Sequence, residues 1–165
     1  MKRLLFIVLY MAIATVAYSQ ADTAKPHLYN PMASADKQIS DAVAKAKKEK
    51  KHVLLQIGGN WCIWCIRFNK FVETDSALKK QLNDNYIVEH INYSDENKNE
   101  AIMTKLEYPA RFGFPVFVIL DANGKRIHTQ NSAYLEEDKG YSKKKVAEFF
   151  KHWSPAALNP KSYTK

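Results

Sequence analysis

Cys62 and Cys65 are the only cysteines in 165 residues, and they stand as Cys-x-x-Cys within Gly58-Gly59-Asn60-Trp61-Cys62-Ile63-Trp64-Cys65. Two sulfurs at this spacing can exchange a disulfide with another thiol, staple the chain, or form half of a metal site. On a helix they lie at i and i+3 on one face, within reach of a disulfide after small adjustments. Cys62 would then stand in the first turn, where unpaired N–H groups and the helix dipole favour negative charge. Such a place lowers a thiol pKa from roughly 8.5 into a range of about 3.5–7.5. Cys62 becomes the attacking thiolate, and Cys65, one turn deeper and still protonated, resolves the mixed disulfide. A staple around so short a loop constrains the unfolded chain little. A tetrahedral zinc site needs two further ligands, and the sequence holds no second Cys-x-x-Cys and no close His pair. His27, His52, His128 and His152 show no ligand spacing to one another, so no metal is assigned. Exchange is the favoured chemistry; metal binding and an inert link are its alternatives.

The elements around the pair support exchange. Residues 53–57 are a continuous apolar run apart from Gln56 and read as a buried central strand. Glycines follow, and then a helix over about 60–72, with Asn60 as an N-cap and Phe68, Phe71 and Val72 on one side. Strand, glycine turn, then Cys-x-x-Cys opening a helix is the redox context of this motif. Before it, Ser34 or Asp36 caps a helix turning Ile39, Val43 and Ala46 inward and ending in lysines near Lys51. After it come a short helix over 75–82, a strand over 86–93 and a helix over 99–107. Residues 116–120 form a second continuous apolar strand. Asp121-Ala122-Asn123-Gly124 turns a hairpin, and 125–129 is its edge partner. Residues 132–140 read as a polar, acidic insertion, and Ser142 caps a last helix carrying Val146, Phe149, Phe150 and Trp153. This order fits an α/β sheet covered on both faces.

Two motifs resemble a known family. Trp61-Cys62-Ile63-Trp64-Cys65 is similar to the Trp-Cys-x-x-Cys active site of thioredoxin-like proteins, and residues 113–125, starting Gly113-Phe114-Pro115-Val116, are similar to their cis-proline loop and the hairpin after it. The resemblance covers 34–153 and implies a thioredoxin fold: a central mixed sheet of four to five strands with helices on both faces. It implies a protein thiol–disulfide oxidoreductase with Cys62 and Cys65 as catalytic pair and no organic cofactor. Phe114, preceding Pro115, would offer its N–H and C=O to an extended substrate peptide. Trp61 and Trp64 would form an apolar contact surface for that substrate, or else shield Cys65. Gln56 departs from the family, which places an acid there to take the proton of the second cysteine. Water would serve instead, or His90 on the neighbouring strand. A non-catalytic binding module of the same fold is the remaining alternative, alongside a metal-handling protein.

Composition bounds the rest. Apolar residues at 46% permit a core for one domain, expected over 34–154 with a tail at 155–165. The formal charge is +8, spread over helix faces with no base-reading motif, so no nucleic acid is expected. Residues 1–19 read as a secretory signal: Lys2-Arg3, an apolar run over 4–17, then Ala17-Tyr18-Ser19 before cleavage near Ser19/Gln20. A secreted or periplasmic protein is expected, in a compartment where disulfides persist. Residues 20–33, with Pro26 and Pro31, read as a linker or loosely packed arm. The expected partners are protein or peptide thiols and disulfides and a membrane redox partner, with the protein itself a monomer. Apolar and basic surroundings of the thiols would favour an oxidant, while a reductant recharged by a membrane partner fits the sequence equally well.

Overall fold

The computed structural model describes residues 27–164. The expected signal at 1–19 and the first part of the arm lie outside these residues.

Helix α1 (Ala35–Glu49) begins at Ser34, whose hydroxyl accepts from the Lys37 N–H, as the sequence pattern predicts. It ends at Lys50 in the left-handed region (φ 57°), with the Lys51 N–H closing onto the Ala46 carbonyl. Strand β1 (His52–Gly58) follows, buried along its whole length. Helix α2 (Ile63–Thr74) carries Cys65, Phe68 and Val72 inward at helical spacing. Asp75 ends α2 and caps α3 (Ser76–Asn85), its carboxylate accepting from the Ala77 and Leu78 N–H groups. Then come β2 (Tyr86–Asn92), the short α4 (Glu100–Lys105), β3 (Val116–Leu120) and β4 (Arg126–Asn131). The insertion is ordered as a 3-10 turn and a small ribbon, β5 (Glu136–Glu137) against β6 (Gly140–Tyr141), before α5 (Lys143–His152). The Ser142 N-cap position matches expectation, but its side chain makes no capping bond. The segment after α5 closes with a further 3-10 turn at Pro160–Ser162.

The sheet order is β2-β1-β3-β4. Strand β1 runs parallel to β2 and antiparallel to β3, so the sheet is mixed. Because side chains alternate, β1 feeds two cores. Val53, Leu55 and Ile57 pack with α1 and α4 on one face. Leu54 joins Phe68, Phe117, Phe149 and Phe150 beneath α2 and α5 on the other. Phe68 is the hinge of this second core, its ring 4.4 Å from Phe117 and 5.0 Å from Tyr141. Burying one such side chain stabilises the fold by about 1.5–3 kcal/mol. This packing fixes α2 on the sheet and, with it, the sulfur pair at its start.

Candidate active site

Cys62 is the N-cap of α2, with extended backbone (φ −86°, ψ 99°), and its Sγ accepts from the Cys65 N–H at 3.1 Å. The expectation placed Asn60 at the cap and Cys62 inside the first turn. The shift strengthens the electrostatic case, because a sulfur at the cap faces the unpaired N–H groups directly. Asn60 does other work: its amide donates to the Tyr29 carbonyl at 2.8 Å and accepts from the Tyr29 N–H at 3.0 Å.

Cys62 and Cys65 are joined as a disulfide, S–S 2.08 Å, with Cα atoms 5.3 Å apart. Cys62 keeps 4% of its surface exposed and Cys65 none. Leu28, Trp64 and Phe114 pack around the pair, with Tyr29 buried against it. Gly58 is required at this point, since a Cβ there would lie 2.4 Å from the Cys65 sulfur.

The substrate-side residues separate. Trp61 is 59% exposed; its indole donates to the Tyr93 carbonyl and its ring meets Phe114 edge-on at 5.4 Å. Phe114 also lies 4.9 Å from Tyr93, giving an aromatic shelf beside Cys62. The Phe114–Pro115 peptide bond is cis, preceded by Gly113 at φ 81°. Trp64 instead turns toward the second core. It packs edge-on against Tyr141 at 5.7 Å under the Arg67 guanidinium, and its carbonyl accepts from the Tyr141 hydroxyl. The expected basic surroundings are absent on the Trp61 side, where Asp95 and Glu96 rim the cleft. The lysine runs sit on α1 and α5 and do not line this cleft.

Beneath the pair, Gln56 is buried and spends both amide hydrogens, one on the Tyr29 hydroxyl at 2.8 Å and one on the Cys65 carbonyl at 3.1 Å. His90, paired with Gln56 in register, lies edge-on to the Tyr29 ring at 5.5 Å. Its Nε2 is buried without a partner, and burial drives its pKa down to about 4 against an upward pull from Glu73. The imidazole is therefore neutral at pH 7, and it makes no hydrogen bond to either sulfur.

Tyr29 is the site residue that sequence reasoning missed. Residues 20–33 read as a linker or loosely packed arm, yet Tyr29 is 2% exposed and tied to Asn60 and Gln56. A lone aromatic in an aperiodic, proline-flanked segment carries no periodic signal; the one hint is the apolar Leu28-Tyr29 pair between Pro26 and Pro31. Among the described residues no group of three or more His, Cys, Asp or Glu side chains could hold a metal ion.

A mixed four-stranded sheet covered on both faces, with Cys-x-x-Cys at the start of the helix after β1 and a cis proline before β3, defines a thioredoxin-fold protein with a redox-type cysteine pair. A family model described as Thioredoxin-like matches residues 34–122, more than half of the sequence, and the chain belongs to that family. It is similar to the thiol:disulfide interchange protein DsbD of Yersinia enterocolitica, 28% identical over 90 residues, covering 54% of this chain and 15% of that protein. It is also similar to the disulfide bond reductase DsbH of Chlamydia pneumoniae, 27% identical over 109 residues, covering 59% of this chain and 64% of that one. The chain thus spans under a fifth of DsbD and less than two thirds of DsbH. Among solved structures, a disulphide isomerase from Xylella fastidiosa Temecula1 superposes with a TM-score of 0.66 at 24% identity, covering 74% of this chain and 93% of that one, a likeness of fold.

Proposed function

We propose that this protein is an exported thiol–disulfide oxidoreductase acting on protein or peptide thiols and disulfides. The observation that carries the reading is the Cys62 sulfur at the α2 cap, opening beside an exposed aromatic shelf and the Phe114–Pro115 loop. The relatives' names, a thiol:disulfide interchange protein and a disulfide bond reductase, support the same chemistry. In the reducing direction Cys62 attacks a substrate disulfide as thiolate, forming a Cys62–substrate bond and releasing one substrate sulfur. Cys65 then attacks Cys62 Sγ, closes the disulfide, and releases the second substrate sulfur. The oxidising direction is the reverse.

Trp61, with Phe114 and Pro115, is the substrate-contact side of the pair; Phe114 offers backbone hydrogen bonds to an extended chain. Trp64 sits beside Cys65 and packs on Tyr141, and its contribution is to shield that sulfur. Export rests on the leader pattern at 1–19 and on a disulfide that suits an oxidising compartment. A thioredoxin-like domain over 34–154 with a short tail, working as a monomer recharged by a membrane partner, completes the proposal. Insulin reduction and oxidation of a reduced test protein, run side by side, test it. Wild type should drive at least one, and Cys62→Ser should abolish both; equal activity after Cys62→Ser and Cys65→Ser would support a binding module instead.

A further inference from the structure

The resolving step asks for a thiolate at a sulfur with no exposed surface. A charge there is costly unless a donor meets it. Gln56, buried beneath the pair, cannot be that donor. Both of its amide hydrogens are committed, to the Tyr29 oxygen and to the Cys65 carbonyl. The Cys65 N–H is committed to Cys62, and His90 makes no hydrogen bond to either sulfur.

The Tyr29 hydroxyl keeps a donor hydrogen. The Tyr29 oxygen accepts from Gln56, which turns the hydroxyl proton away from the amide, and no other group among the described residues accepts that proton. The same hydroxyl and the Cys65 sulfur are both close neighbours of Gly58. The point where a Gly58 Cβ would stand is 2.4 Å from the sulfur and 3.1 Å from the Tyr29 oxygen, its two nearest side-chain atoms, and in the disulfide state the hydroxyl makes no hydrogen bond to the sulfur. Asn60 fixes the Tyr29 backbone from both sides.

We propose that the Tyr29 hydroxyl donates to the Cys65 sulfur as it becomes a thiolate, so that the N-terminal arm supplies a catalytic group the strand lacks. This rests on the oxidoreductase reading above. In the step, the Cys65 S–H proton goes to solvent, the Cys65 sulfur bonds to Cys62 Sγ, and the Cys62–substrate bond breaks with its electron pair on the leaving sulfur. Tyr29 keeps its proton throughout, and burial, which raises its pKa far above the usual phenol value, suits a donor that does not ionise. The other titratable groups facing Tyr29 and Cys65 are His90 of β2, Glu73 of α2 beyond it, and Tyr141 of β6, whose hydroxyl is spent on the Trp64 carbonyl.

The test mixes reduced protein with 5,5′-dithiobis(2-nitrobenzoate) in a stopped-flow cell. Attack by Cys62 releases the first thionitrobenzoate, and attack by Cys65 on the resulting mixed disulfide releases the second. Tyr29→Phe keeps the ring and removes the donor. It should slow the second phase about tenfold at pH 7, as loss of a hydrogen bond to a charged group does, and leave the first phase unchanged. The gap should narrow above the Cys65 pKa, where the thiolate is present without help. Equal second phases, or both phases slowed alike at every pH, overturn the proposal. If Tyr29→Phe does not fold, Asn60→Ala, which frees the arm but keeps the hydroxyl, must slow the second phase selectively, and failure to do so overturns it. A wild type that releases no second thionitrobenzoate overturns the oxidoreductase reading with it; a normal wild type beside an unaffected Tyr29→Phe overturns this inference alone.

Discussion

His90 makes this fold sensitive to mild acid, by an amount that can be worked out. Its ring is largely buried between the Tyr29 ring and a cavity of about 120 Å³ lined also by Gln56, Phe68, Val72 and Glu73. Burial lowers its pKa from 6.5 to about 4, with Glu73 opposing. Well above pH 6.5 the imidazole is neutral in both folded and unfolded chains and contributes nothing to pH dependence. As pH falls below 6.5 the unfolded chain takes up the proton and the folded one does not, so the unfolded state gains. The loss grows until pH passes the folded value near 4, reaching about 3 kcal/mol, with about 2 kcal/mol of it already present at pH 5. Urea unfolding of the oxidised protein at pH 7 and pH 5 reads this directly. His90→Gln should flatten the difference between the two pH values by about 2 kcal/mol relative to wild type. Other titrating groups, His128 among them, are common to both proteins and cancel. Parallel pH dependence in the two would refute the claim that His90 is held neutral by burial.

Three further outcomes are expected. Gly58→Ala pushes a methyl against the Cys65 sulfur at 2.4 Å; urea unfolding should show a loss of about 1–3 kcal/mol, typical of overpacking. Tyr86→Phe removes the hydroxyl that donates to the Phe150 carbonyl at 2.7 Å in the last turn of α5. Leaving that helix-end carbonyl unpaired should cost about 1–2 kcal/mol in the same assay. Trp61→Ala strips an exposed ring of the shelf and should raise KM for a peptide disulfide by roughly 5–10-fold, on the order of 1 kcal/mol of aromatic contact, with little change in melting temperature.

Much of the fold was legible because its signals are local and strong. The β1 run, the Phe68 and Val72 spacing of α2, the apolar β3 and the Asn123-Gly124 turn each announce one element, and each element formed there, with α2 starting at Ile63 rather than near Asn60. The β5–β6 ribbon did not announce itself, since two-residue strands are too short for alternation to show. The cysteine pair was legible from spacing and context. Its support was not: Asn60 suits a helix cap by residue type, yet its amide is claimed by a backbone 31 positions away. Tyr29 and Gln56 meet only because the arm folds back across Gly58, a contact of long range that no short pattern encodes. The distribution of charge was likewise hidden, because a net positive chain can still rim one cleft with Asp95 and Glu96.

The equilibrium of the Cys62–Cys65 pair with glutathione at pH 7, read by acid quench and alkylation, bears most directly on the proposed exchange chemistry. A reversible two-electron couple is predicted, with a potential between about −270 and −120 mV, the span of thiol–disulfide exchange proteins. A pair that stays closed in excess dithiothreitol, with a potential below about −300 mV as in structural disulfides, would contradict it.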